Sequence, residues 1–146
     1  MHGEKSPVMN KIAVGDADSI IALAYKDDAN HVRAKRISAW LLSAGYDIIY
    51  PNTAILEAIT ALRRALNLSD KAELINKHYQ RGAFMVEYID EKIQRRASQR
   101  FSRANSKKNT IFDAVVVETA VEFEADYIFS FDNWYPREGF DLAKLT

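Results

Sequence analysis

Short apolar runs with strand character alternate with helical stretches along this chain, and that alternation restricts the fold more than any other feature. The apolar run at 11–15 ends in glycine, and those at 47–50, 83–88 and 127–130 read as strands. Between them, helical spacing covers 19–25, 31–43, 53–66, 70–79, 93–104 and 111–124. The stripe Ile55, Ile59, Leu62 and Leu66 is the clearest of these signals. Gly45 ends the second helix, Ser69 is placed as the cap of the fourth, and Gly82 ends that helix. In the helix at 93–104, Ile93, Ala97, Phe101 and Ala104 form the apolar side. Residues 133–146 read as loop with a short closing element. Strand–helix alternation of this kind implies an α/β domain with a mainly parallel sheet.

At 146 residues with 48% hydrophobic content, the chain is expected to build one domain with one core. No repeat, linker or low-complexity segment divides it. Residues 1–10 lack an apolar run, so they do not read as a secretory signal. They are expected to be a flexible lead or an expression remnant before a single domain at 11–146, with Met9 as a candidate native start. No stretch is long and apolar enough to span a bilayer, and a cytoplasmic location is expected. The absence of cysteine excludes disulfides and thiolate zinc sites.

Twenty basic and 20 acidic residues cancel, which argues against nucleic-acid binding by bulk charge. The charges are nevertheless segregated. Lys92, Arg95, Arg96, Arg100, Arg103, Lys107 and Lys108 share one window without an acid, so the remainder is net acidic.

Ligands of open α/β sheets bind beyond the carboxyl ends of the strands. Asp16 follows the first strand directly, and Asp132 comes two residues after the fourth. Glu57 lies one turn into the helix after the second strand, and Asp113 lies in the first turn of its helix. Each has an ordinary alternative. Asp16 or Asp18 could cap a helix, and Thr110 with Asp113 has capping-box spacing. Asp132 could close a turn, and Glu57 could be a surface acid. Four acids at one sheet edge would repel one another if left unpaired. A hard divalent cation, Mg²⁺ or Mn²⁺, resolves that conflict.

The order of DADSIIAL, NTAILEAI, IFDAVVVETA and YIFSFDNWY resembles the PIN domain family, in particular the VapC-type toxins of toxin–antitoxin pairs. The resemblance runs from Lys11 to about Gly139. It implies a PIN-like three-layer fold with a parallel sheet between helices. It also implies that Asp16, Glu57, Asp113 and Asp132 are the catalytic, metal-holding acids, with Ser130 near the metal. Relatives often carry Thr or Ser where this chain has Ala17. Asp18 supplies an extra acid, which either joins the metal site through water or caps the helix.

The expected activity is Mg²⁺- or Mn²⁺-dependent hydrolysis of RNA phosphodiesters. A bound cation lowers the pKa of its water and offsets charge on the phosphoryl oxygens. Asp16 and Asp113 are the first choices as direct ligands, with Glu57 and Asp132 completing the site. An acidic site repels RNA, so Arg96, Arg100, Arg103, Lys107 and Lys108 are candidate backbone contacts, or else a solvated helix face. Trp134 and Tyr135 either stack on a base or pack at the sheet edge. His31 and His78 have no partner at metal-site spacing, and no Gly-rich phosphate loop is present. The resemblance also implies a homodimer and a cognate antitoxin. The alternatives are an inactive PIN-like protein-binding module and a haloacid-dehalogenase-like phosphatase, suggested by the acid pair Asp16–Asp18. The phosphatase reading lacks the late lysine that such enzymes need, since only Arg137 and Lys144 follow Lys108.

Overall fold

A computed structural model describes residues 11–145; the expectations for residues 1–10 lie outside the described residues. β1 (Lys11–Gly15) leads through α1 (Ala17–Ala24) and α2 (His31–Ser43) to β2 (Tyr46–Pro51). α3 (Asn52–Thr60) runs into a π-helical turn at Ala61–Ala65, then α4 (Ser69–Gln80) precedes β3 (Met85–Glu87). α5 (Glu91–Arg103) and α6 (Ile111–Glu122) lead to β4 (Tyr127–Phe129), and α7 (Trp134–Arg137) follows. The strands lie in the order β3-β2-β1-β4, every neighbouring pair parallel. Parallel neighbours need crossover connections, which the helices supply.

The chain winds outward from β1 to β3 and then returns to place β4 on the other side of β1. The strand order therefore reverses between β1 and β4, where open α/β sheets form their ligand crevice. The ladder continues past the strand ends, because the Asp16 amide donates to the Phe129 carbonyl at 3.1 Å. Asp16 is thereby fixed at that crevice.

β1 is covered on both faces, which explains its unbroken apolar run. Ile12 and Val14 pack with Val116, Val117 and Ile128, while Ala13 packs with Ile37, Leu41 and Phe129. α6 lies between the sheet and α5, and residues Ala114 to Ala120 are all buried. Gly15 is required by its neighbour, since a Cβ there would come within 2.1 Å of the Tyr50 ring. Among the described residues, no helix is long and apolar enough to cross a membrane.

Several boundaries differ from expectation. The helix at 53–66 changes to π geometry after Thr60, and the wider turn rotates Leu66 off the stripe, leaving it 42% exposed. Ser69 is the first residue of α4 rather than its cap, and makes no capping side-chain bond. The third strand is only three residues long: Ala83 and Phe84 follow the turn at Gly82, where φ is +75°, and Tyr88 lies past the last ladder pair, Pro51 with Glu87. Phe101 is exposed, since α5 meets α6 along Ile93 and Ala97 instead. The tail folds back as α7 and bridges Leu142 to Ile128.

Candidate metal centre

Three elements deliver acids to one point at the crevice. Asp16 caps α1, Glu57 projects from α3, and Asp113 opens α6. One carboxylate oxygen from each lies within 4.8 Å of the others. Asp132 is outside that trio but is tied to it through Asn109. The Asn109 amide donates to Asp113 Oδ2 at 3.1 Å and to Asp132 Oδ2 at 2.9 Å.

The ordinary roles of these acids are present as well, and they set the geometry. Asp16 Oδ1 accepts the Ala17 amide at 2.6 Å, and its Oδ2 accepts the Tyr135 hydroxyl at 2.6 Å. Asp113 Oδ2 accepts the Thr110 amide at 2.9 Å, the contact expected of a capping box. Asp132 Oδ1 accepts the Trp134 amide at 2.9 Å and so does close a turn. Capping fixes the rotamer of Asp113 through Oδ2, leaving Oδ1 outside those hydrogen bonds. Capping and metal holding are therefore compatible.

Asp18 does not act as the helix cap. Its Oδ2 accepts from Ser130 Oγ and from the Phe131 amide, each at 2.8 Å, which ties α1 to the segment after β4. Ser130 Oγ also accepts the Asp132 amide at 3.1 Å, so Ser130 links the two acids. Asp18 Oδ1 is buried without a hydrogen-bond partner.

The electrostatics of this cluster favour protonation in the absence of a cation. Burial, reinforced by the charges of Asp18 and Asp113, holds Asp16 well above the usual carboxylate range. Burial and the neighbouring Asp113 and Asp18 push Glu57 up to about 7. Burial raises Asp18 to about 6, and raises Asp113 despite its hydrogen bonds. Burial and the charge of Asp16 hold the Tyr135 hydroxyl well above its ordinary value, so it stays a donor. Three converging hard oxygen donors, with a fourth buried carboxylate oxygen unpartnered nearby, fit a divalent cation such as Mg²⁺ or Mn²⁺.

Two residues of the site are not marked in the sequence. Asn109 is the residue before the helix cap Thr110, and nothing local identifies it as a bridge. Tyr135 is open in sequence to either packing or stacking; in the fold it is fully buried, with Trp134 6% exposed beside it. Base stacking on either ring is closed by that burial.

The basic segment is not unopposed, although it contains no acid of its own. Lys92 and Arg96 meet Glu122 of α6, Arg95 meets Glu91, and Arg100 meets both Glu118 and Glu138. Arg96 and Arg100 are thus engaged with carboxylates supplied by other elements of the fold. Glu118 carries a usable signal, being an acid inside the otherwise apolar run of α6. Arg103, Lys107 and Lys108 remain exposed.

Residues 14–138 match the PIN domain family, and the chain belongs to it. That membership sets aside the haloacid-dehalogenase-like reading. Among solved structures, the chain is similar to the Mycobacterium tuberculosis toxin VapC20, described as cleaving the sarcin–ricin loop. The likeness has a TM-score of 0.79 at 20% identity, covering 92% of this chain and 100% of that one. It is also similar to VapBC2 from Rickettsia felis, described as bound to a fragment of its promoter DNA. There the TM-score is 0.58 at 15% identity, covering 90% of this chain and 96% of that one. No match was found among curated protein sequences.

Proposed function

We propose that this chain is a divalent-metal-dependent ribonuclease, the toxin of a toxin–antitoxin pair. The observation that carries the reading is the convergence of Asp16, Glu57 and Asp113 from three separate elements onto one point within 4.8 Å. Membership of the PIN domain family and the likeness to VapC20 and VapBC2 support it. A cytoplasmic protein that forms a homodimer and is held in check by a cognate antitoxin completes the proposal.

In this reading Asp16, Glu57 and Asp113 hold the cation, with Asp132 completing the site. When bound, Mg²⁺ or Mn²⁺ supplies Lewis-acid stabilisation of phosphoryl charge and acidifies water. The protein's own groups fix the arrangement. Tyr135 holds Asp16 through Oδ2, and Asn109 spans Asp113 and Asp132. Asp132 keeps acceptor capacity on both oxygens, because a carboxylate offers about four lone-pair sites. It can therefore orient the attacking water while held by Asn109 and the Trp134 amide. Asp18, linked to Asp132 through Ser130, adds negative potential behind the site.

The test is cleavage of a labelled mixed RNA pool with Mg²⁺, with Mn²⁺ and with EDTA, beside Asp113→Asn. Metal-dependent cleavage that is absent in the variant is expected. A folded, inhibitor-free protein that cleaves no RNA under either metal would instead leave a PIN-fold binding module.

A further inference from the structure

The ion pairs of α5 have a consequence for how an acidic nuclease attracts a polyanion. Among the described residues, Arg103, Lys107, Lys108 and Arg137 form no ion pair, and all four are exposed. The fold gathers them around one open pocket of about 620 Å³, between the end of α5, the loop 104–110 and α7. The acid on the pocket wall, Glu138, is already engaged by Arg100 at 2.8 Å. Arg137 comes from a segment 29 residues beyond Lys108 in the chain, outside the basic window of the sequence.

The pocket adjoins the acidic centre through shared residues. Lys108 immediately precedes Asn109, whose amide holds Asp113 and Asp132. Trp134 lines the pocket and gives its amide to Asp132 Oδ1. A strand whose scissile phosphate sat at the carboxylates would carry its neighbouring phosphates past this adjoining wall.

We propose that Arg103, Lys107, Lys108 and Arg137 form a binding site for the backbone phosphates of a single RNA strand flanking the scissile bond. Arg100 is instead committed to Glu118 and Glu138, and Arg96 faces Glu122. The inference rests on the ribonuclease reading of the acidic centre. Lysine and arginine neutralise phosphate without regard to base sequence, and removing them reduces the salt dependence of binding.

The experiment is fluorescence anisotropy of a labelled single-stranded oligoribonucleotide, without metal, across about 50 to 200 mM salt. The wild type is compared with Arg103→Gln/Lys107→Gln/Lys108→Gln/Arg137→Gln, and with Lys92→Gln/Arg95→Gln. A charge-preserving set, R103K/K107R/K108R/R137K, separates charge from folding. The log–log salt slope should flatten by about 0.7 for each phosphate that is no longer neutralised. Arg137→Gln alone should give about one such step, while the α5 pair and the charge-preserving set keep the wild-type slope. RNA cleavage by the wild type, with a slope unchanged in the fourfold Gln variant, would overturn the pocket and leave the ribonuclease reading intact. Flattening by Lys92→Gln/Arg95→Gln to the same degree would also overturn it. Wild-type protein that neither binds nor cleaves RNA would overturn both.

Discussion

Asp113 opens α6 as a capping residue and also faces the acidic centre, and one substitution pair separates the two tasks. Asparagine keeps an acceptor for the Thr110 amide, whereas alanine does not. Asp113→Asn should therefore keep the cap yet lose metal-dependent cleavage. Asp113→Ala should lose cleavage too and be about 1 kcal/mol less stable than Asp113→Asn, since both remove the same charge and only alanine removes the capping acceptor. Chemical denaturation beside the cleavage assay reads both. Tyr135 acts through Asp16, its phenol favouring the ionised carboxylate. Removing the hydroxyl in Tyr135→Phe leaves the ring packing and should weaken Mn²⁺ affinity about 10- to 100-fold, as removal of a ligand's supporting hydrogen bond does. Titration calorimetry with Mn²⁺ tests this, and unchanged affinity would remove Tyr135 from the site.

At the scale of elements, α5 and α6 are joined by a buried electrostatic contact as well as by apolar packing. Glu118 is 6% exposed and depends on Arg100, which also reaches Glu138 beside α7. Arg100→Gln should strand a buried carboxylate, at a cost of about 3 to 5 kcal/mol. Its thermal unfolding temperature should fall far more than that of Arg96→Gln, whose partner Glu122 is partly exposed. The same elements show how far sequence patterns reach. β1 and β4 are legible because both are short apolar runs with an acid directly or shortly after them, and α6 because its apolar run is long. Glu118 stands out as an acid in an apolar run, but its pairing with Arg100, like that of Glu138, is not legible, since the two acids lie 18 and 38 residues from Arg100 and meet it only when α5 packs. The π turn after Thr60 is invisible in sequence because its residues fit an α-helical stripe equally well.

For the whole molecule, the convergence of Asp16, Glu57 and Asp113 is legible from order and strand context, and the side chains that support it are not. Tyr135 stands 119 residues from Asp16, and Asn109 stands 23 from Asp132. Such bridges depend on the return of the chain to β4, which no local pattern encodes. The assembled cluster makes stability depend on pH in a definite direction. Glu57 ordinarily titrates at 4.5 and is held near 7, while Asp18 moves from 3.8 to about 6. Between those values the folded protein keeps protons that the unfolded chain has released. Metal-free stability should therefore fall as pH rises from about 4 to about 7, and stay low above that. Glu57→Gln should flatten the upper part of that fall in a series of thermal unfolding scans.

A bound divalent cation reverses that penalty by favouring the ionised carboxylates. The most direct measurement is the unfolding temperature of metal-free protein titrated with Mn²⁺ near neutral to mildly alkaline pH, beside Glu57→Gln. Saturation to about 100 times the dissociation constant should add about 2.7 kcal/mol. For a chain of this size that is a rise of about 5 to 10 °C. The rise should be largely absent in the variant. An equal rise in both proteins, or none in the wild type, would contradict the assignment of these carboxylates as a metal centre.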